Sequence, residues 1–187
     1  MKKIKAVCVA NNLSLHIDGA RLWNAMVAKN ETPKQYGEVF DSISVCLSKS
    51  LGCPVGSLLL GRKDFINKAR RVRKVFGGAM RQAGFMAAAG IYALRHNIER
   101  LAEDHEHAKL IAAAIAQKPF VKQVLPAETN IIIFELKDGI TAPELVAKLG
   151  EQNILCYAIS PNRVRLVLHL DVTKEMMTRT IEVINNL

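Results

Sequence analysis

One short stretch, residues 41–57, constrains the fold of this chain more than any other. Ser44 to Leu47 alternate small polar with apolar side chains, which is typical of a buried β-strand. Three residues that prevent further regular pairing follow closely: Gly52, Pro54 and Gly56. The stretch therefore predicts a strand that stops just before Lys49 and places this lysine at a strand terminus.

Lys49 has two interpretations at this point. Val45, Cys46 and Leu47 would partly desolvate its amine, and desolvation lowers the pKa of an amine toward the range in which it attacks carbonyls. A surface lysine in a loop is the simpler interpretation of this stretch taken alone.

A second predicted strand, residues 13–17, ends at Asp18 just before a helix. If the two strands are neighbours in a parallel sheet, Asp18 and Lys49 face the same crevice, since open α/β sheets bind ligands outside the carboxyl ends of their strands. An aspartate before a helix is also a common N-cap, so Asp18 alone is weak support for a ligand site.

A carboxylate and a lysine at adjacent strand ends are the pair that pyridoxal phosphate chemistry requires. The lysine holds the cofactor aldehyde as an imine, and the aspartate keeps the pyridine nitrogen protonated, which preserves the ring as an electron sink. Asp18 and Lys49 are therefore candidates for these two roles.

Four motifs together strongly resemble the threonine aldolases, over practically the whole chain and in the family's order. They span residues 16–21 (His16-Ile-Asp-Gly-Ala-Arg21), 44–57, 73–84 and 165–171. The resemblance implies an α/β chain of the type I pyridoxal phosphate fold, like aspartate aminotransferase. It also implies that only the C-terminal part is present. The glycine-threonine phosphate loop and the ring-stacking histidine have no counterpart here, so activity is expected to need the missing half.

The resemblance also implies a domain division and site residues. Residues 1–100 would complete the large cofactor-binding domain and begin an interdomain helix, and residues 101–187 would end that helix and form a small α+β domain. Lys49 would attach the cofactor and Asp18 would bind its ring nitrogen. Arg165 would bind the substrate α-carboxylate through paired charge-assisted hydrogen bonds, with Arg21 as a second anchor near the carboxylate and cofactor.

The most basic segment, residues 62–81, carries eight cations against Asp64 alone. Its charges could be the solvated face of a helix with an apolar stripe, and two phenylalanines are too few for a nucleic-acid surface. In the resembling family, the positions of Lys74 and Arg81 reach cofactor or substrate in a neighbouring subunit. That role implies a homo-oligomer, a homotetramer built as a dimer of dimers.

Composition adds limits to these expectations. A formal net charge of +9 favours an anionic partner without identifying it, and 50% hydrophobic residues suffice for a core. Four irregularly spaced cysteines without a signal sequence indicate reduced thiols in the cytoplasm, and the pattern predicts neither a zinc site nor a membrane span.

The rest of the chain predicts one long helix and a small mixed unit. Residues 80–117 follow one helical pattern, with the acidic and histidine residues of 103–107 as a solvated face. Beyond it we expect strands at 121–125, 130–136, 154–159 and 163–169 and helices at 142–152 and 172–187. Asp171 or Thr173 would cap the last helix. Arg163 and Arg165 would share one strand face, opposite an apolar one.

The implied reaction is retro-aldol cleavage of L-threonine or L-allo-threonine to glycine and acetaldehyde. The base that takes the β-hydroxyl proton is unidentified; His169 is a candidate because it lies near Arg165, although a core histidine at a strand end is the simpler interpretation. Two alternatives remain open: a β-eliminating pyridoxal phosphate lyase of the same fold type, and a noncatalytic basic binding module.

Overall fold

The computed structural model describes all 187 residues of the sequence, and they divide into two compact units, Met1–Glu99 and Arg100–Leu187. The first unit contains five helices and three strands: α1 (Lys2–Ala10), β1 (His16–Gly19), α2 (Leu22–Lys29), α3 (Pro33–Val39), β2 (Ser42–Cys46), β3 (Ser57–Gly61), α4 (Lys63–Val75) and α5 (Gly84–His96). None of the helices of the chain has the length and continuous hydrophobicity that a membrane crossing requires.

The sheet of the first unit has the strand order β1-β2-β3. β1 runs parallel to β2, with Asp18 opposite Ser44, and β3 runs antiparallel to β2. The parallel pairing of β1 with β2 agrees with the sequence-based expectation. Side chains alternate along β2, so that Ile43 and Val45 are buried against α2 and α3 while the serines between them point to the other face.

The exposed surface of the first unit is unusually apolar. Every residue of β3 is exposed, and α4 has no buried residue at all. The sequence predicted an apolar stripe on α4 that would pack against the protein, and the stripe exists, but Val72 and Val75 are 53% and 75% exposed. The partner surface for this stripe lies outside the first unit's own core.

The prediction of one long helix over residues 80–117 is wrong. The structure has two helices there, α5 and then α6 (Leu101–Ala116), separated by a break at residues 97–100. Asn97 ends α5, and its side-chain amide donates a hydrogen bond to the carbonyl oxygen of Leu51 at 2.8 Å. An asparagine side chain that bonds to a distant backbone group competes with helix continuation, which explains the break.

The second unit folds α6 and two further helices together with a four-stranded antiparallel sheet. Its remaining elements are β4 (Val121–Val124), β5 (Ile131–Leu136), α7 (Ala142–Glu151), β6 (Tyr157–Ser160), β7 (Arg163–Val167) and α8 (Lys174–Asn185), and the strand order is β4-β5-β7-β6. α7 begins with a capping box between Thr141 and Glu144, and Thr173 caps α8, as one of the two candidates predicted.

The core of the second unit lies on one face of its sheet. Ile132 and Phe134 of β5 and Val164 and Leu166 of β7 alternate inward and are almost fully buried. Arg163 and Arg165 lie on the other face, as predicted. The predicted strand at 154–159 begins later, at Tyr157.

Residues 103–107 of α6 do not form one solvated face, which corrects the sequence-based expectation: Glu103 and Glu106 are exposed, but two of the five residues are buried. Asp104 and His105 are 1% and 5% exposed, and Arg100 pairs with the Asp104 carboxylate at 3.0 Å. Burial raises the pKa of Asp104 and lowers the pKa of His105. These residues are structural parts of the helix junction, and no group of three or more potential ligand side chains is placed to hold a metal ion.

Candidate active site

The carboxyl ends of β1 and β2 lie side by side and carry three of the candidate residues. Asp18 is the third residue of β1, Arg21 directly precedes α2, and Lys49 follows the end of β2 by three residues. Because the two strands are parallel and in register from His16 and Ser42 onward, both chains leave the sheet at the same edge. The sequence-based expectation of one shared crevice edge thus agrees with the topology.

Asp18 is not an N-cap, because α2 begins only after Arg21 and has no side-chain cap. Its Oδ1 instead accepts a hydrogen bond from the backbone N–H of Ala20 at 3.1 Å. The Asp18 side chain is exposed in this chain. It lies on the sheet face that carries His16, Ser42 and Ser44, which is the face opposite the core.

Lys49 is also exposed, which corrects the expectation that its neighbours desolvate it. Val45 and Leu47 are themselves buried, at 1% and 6% exposed. The segment that follows is closed by backbone hydrogen bonds, from Gly52 N–H to the Lys49 carbonyl at 2.9 Å and from Leu47 N–H to the Gly56 carbonyl at 3.0 Å. The Lys49 loop, defined as residues 47–56, is therefore a folded turn.

The two glycines of the Lys49 loop have backbone conformations that other residues rarely adopt. Gly52 has a φ of 73° and Gly56 a φ of 130°. A Cβ atom would strain both positions, so the loop depends on glycine at each.

Three side chains of the first unit bind the Lys49 loop or the strand end before it, and the sequence predicted none of them. Trp23 donates from Nε1 to the carbonyl of Cys46 at 3.0 Å, and Asn24 donates from Nδ2 to the hydroxyl of Ser50 at 3.0 Å. Asn97 binds the carbonyl of Leu51. The available signal was Asn24 itself, a polar residue inside the apolar pattern of α2.

Lys74 and Arg81 follow the three strands of the sheet along the chain, and both are exposed. Lys74 is in the last turn of α4, and Arg81 lies in the connection between α4 and α5. That connection turns at Gly77, whose φ is 76°, and the Gly78 N–H donates to the Arg73 carbonyl at 2.8 Å. The connection therefore turns tightly at these two glycines.

Arg165 belongs to the second unit, where it lies in β7 opposite Ile133 of β5 and Tyr157 of β6. Its Nε is buried and has no hydrogen-bond acceptor in the chain. The contrast with Arg163 on the same face is clear, because Arg163 binds the Glu135 carboxylate at 3.1 Å. Arg165 is the arginine of this strand that no carboxylate neutralises.

Glu135 is held by several donors at once. Lys122 lies 2.6 Å from its carboxylate, and Gln123 and Arg163 also donate to it. The hydrogen bond from Lys122, followed by those from Arg163 and Gln123, lowers the pKa of Glu135 to about 2. The cluster fixes Arg163 in a structural role and leaves Arg165 available.

His169 is not the core histidine that the sequence favoured. Its side chain is 51% exposed, and Nδ1 lies 3.4 Å from both the backbone nitrogen and the carboxylate of Asp171. Exposure keeps it a candidate for proton transfer.

The family model described as beta-eliminating lyase matches residues 1–138. The chain belongs to this family. It is 46% identical over 170 residues to the low specificity L-threonine aldolase of Escherichia coli K12, covering 89% of this chain and 48% of that protein. It is 41% identical over 175 residues to low-specificity L-threonine aldolase 1 of Arabidopsis thaliana, covering 92% and 49%. The chain thus spans about half the length of these curated relatives.

Solved structures of this family share the fold. A putative L-allo-threonine aldolase from Listeria monocytogenes superposes with a TM-score of 0.79 at 20% identity, over 99% of this chain and 55% of that one. Ornithine aminotransferases also share the fold. The chain therefore has the α/β fold of the type I pyridoxal phosphate enzymes, as the family resemblance implied.

The side chains at the candidate site fit pyridoxal phosphate, the cofactor of this family. The cofactor has a basic ring nitrogen, an aldehyde and an anionic phosphate, which call for a carboxylate, an amine and cations. Asp18 uses only Oδ1, toward its own turn, and Lys49 has an exposed amine without an ion pair. In the second unit, the buried Nε of Arg165 has no acceptor in the chain and suits a carboxylate.

Proposed function

We propose that this chain provides the C-terminal part of a pyridoxal phosphate-dependent aldehyde-lyase that cleaves L-threonine or L-allo-threonine to glycine and acetaldehyde. The observation that carries the proposal is the adjacency of the strand ends that bear Asp18 and Lys49, in a chain 46% identical to a threonine aldolase. Membership of the lyase family sets aside the noncatalytic basic module.

Each candidate residue has a separate task in this proposal. Pyridoxal phosphate, when bound, supplies the sink for the electron pair released as the Cα–Cβ bond breaks. Lys49 is its attachment point, and Asp18 holds the proton on the ring nitrogen. Arg165 binds the substrate α-carboxylate through two parallel N–H donors, and Arg21 is a second anchor.

The remaining chemistry is proton transfer. A base takes the β-hydroxyl proton, acetaldehyde leaves, and Cα regains a proton to give glycine. His169 is a candidate for the base because its side chain is exposed and lies four residues beyond Arg165.

Assembly and location complete the proposal. Lys74 and Arg81 are proposed to serve a neighbouring subunit's cofactor or substrate, in a homo-oligomer of the dimer-of-dimers kind. Their exposure supports this use. We place the protein in the cytoplasm because all four cysteines are free thiols.

The test is covalent trapping. The chain is incubated with pyridoxal phosphate, reduced with borohydride and mapped by peptide mass spectrometry, with Lys49→Arg as the control. We expect the stable label on Lys49 and its loss in the variant. A label spread evenly over the exposed lysines would overturn the assignment of Lys49.

One alternative keeps a specific observation in its favour, because the matching family model is described by β-elimination. The assembled enzyme should be supplied in parallel with L-threonine and with a β-substituted alanine. Acetaldehyde from threonine supports the aldolase, whereas pyruvate from the alanine derivative alone would favour the eliminating lyase.

A further inference from the structure

Lys49 lies in a loop without regular strand pairing, so other contacts must set its position. The residues directly after it are buried, Ser50 at 5% and Leu51 at 1% exposed, while Lys49 itself is exposed. The chain therefore passes from the surface at Lys49 to the interior at Ser50 within one residue. Whatever holds Ser50 also sets where the Lys49 amine can reach.

Asn24 holds Ser50. It is 2% exposed, and its Nδ2 donates to the Ser50 hydroxyl at 3.0 Å. Asn24 is the third residue of α2, the helix that begins four residues after Asp18. The hydrogen bond thus links the helix next to Asp18 to the residue next to Lys49.

We propose that Asn24 is a positioning residue that fixes Lys49 relative to Asp18 through Ser50. The inference rests on the proposed function, because it assumes that Lys49 and Asp18 serve one bound cofactor. Their separation then has to match the cofactor's aldehyde and ring nitrogen, and a loose loop would vary it.

The Asn24–Ser50 bond differs from the other two side-chain contacts in this region. Trp23 and Asn97 are only half-buried, and each binds a backbone carbonyl. The Asn24–Ser50 pair is buried at both ends, so water cannot readily replace either partner when the other is removed. We expect this pair to matter most for the rigidity of the Lys49 loop.

The first test is amide hydrogen exchange on the full chain without cofactor. Asn24→Ala and Ser50→Ala should each speed exchange at the Gly52 and Cys53 amides about fivefold, as expected for one lost hydrogen bond. Ser50→Ala removes few atoms and keeps the test valid if Asn24→Ala fails to fold. The double variant should exchange no faster than the single variants.

The matched control is Asn130→Ala. Asn130 is a fully buried asparagine that donates to the Leu168 carbonyl at 2.6 Å in the second unit. Its replacement should speed exchange in the second unit and leave the Lys49 loop unchanged. Unchanged loop amides in both Asn24→Ala and Ser50→Ala would overturn the proposal.

The second test measures the position of the amine itself. The share of borohydride-fixed pyridoxal phosphate found on Lys49, relative to other lysines, should fall about fivefold in Asn24→Ala and recover in Ser50→Thr, which keeps the hydroxyl. If the unmodified chain shows no preference for Lys49, the proposed role of Lys49 as the attachment point fails, while the exchange data still decide the role of Asn24. An unchanged share in Asn24→Ala would contradict its positioning role.

Discussion

The two units of this chain bury their apolar residues to very different degrees. Arg100–Leu187 has a core cluster of seventeen buried residues, whereas the cluster of Met1–Glu99 has five. The first unit also leaves Phe76 and Phe85 more than 80% exposed. An exposed apolar surface of this kind marks a site for further protein.

Most of the candidate site residues lie on the unit with the smaller core. Asp18, Arg21 and Lys49 lie on the unit that leaves its apolar surface uncovered, and Arg165 alone lies on the unit with a full core. We expect the second unit to fold by itself and the first to depend on additional polypeptide, and the predictions below test this contrast.

The largest effect is expected from separating the units. A fragment of residues 100–187 should unfold cooperatively in urea, because its core is complete. A fragment of residues 1–99 should lack a cooperative transition and aggregate, since β3 and α4 are exposed. Circular dichroism and sedimentation measure both, and a cooperative transition in residues 1–99 would break the comparison.

A matched pair of leucine truncations gives the next largest effect. Leu145→Ala in the second unit should cost about 3 kcal/mol of unfolding free energy, because Leu145 is 2% exposed. Leu60→Ala on β3 removes the same atoms from a residue that is 43% exposed and should cost less than about 1 kcal/mol. Equal losses in urea titrations of the full chain would show that the first unit is better packed than its exposure indicates.

The cap of α7 tests whether the second unit responds to local changes by itself. Thr141→Ala removes the hydroxyl of the capping box and should cost about 1 kcal/mol in the transition of that unit. Thr141→Ser keeps the hydroxyl and should retain most of the stability. Amide exchange should quicken in the second unit only; faster exchange in the β1-β2-β3 sheet would contradict independent folding.

The smallest effect concerns pH. The pKa of Glu135 falls from its usual value near 4.5 to about 2 in the folded state, because Lys122, Arg163 and Gln123 bind the carboxylate. The stabilisation is complete above pH 4.5 and is lost as the pH falls toward 2. Thermal unfolding of residues 100–187 should therefore show a shallower pH dependence in Glu135→Gln than in the exposed control Glu182→Gln, and identical profiles would contradict this role.

Local sequence signals predicted the topology near the site well. The glycine and proline spacing after β2 located the turn that carries Lys49. Alternation separated Arg163 and Arg165 from the core face of β7. These features depend on neighbours along the chain, so the sequence carries them directly.

Features that depend on distant contacts could not be predicted. The break after α5 arises because Asn97 binds the carbonyl of Leu51, forty-six positions away. A contact at this separation does not change the helical periodicity of the sequence. The burial of Asp104 depends on its pairing with Arg100 inside packed structure. The exposure of Lys49 and of α4 likewise depends on which surfaces surround them, which composition does not reveal.

The connection between β1 and α2 consists of only Ala20 and Arg21, and this brevity has a consequence for length variation. One inserted residue would rotate the side chains of α2 by about 100° about the helix axis relative to the strand. Trp23 would leave the Cys46 carbonyl and Asn24 would leave Ser50 in the same step. A change of length at this corner would therefore uncouple both contacts of the strand edge at once.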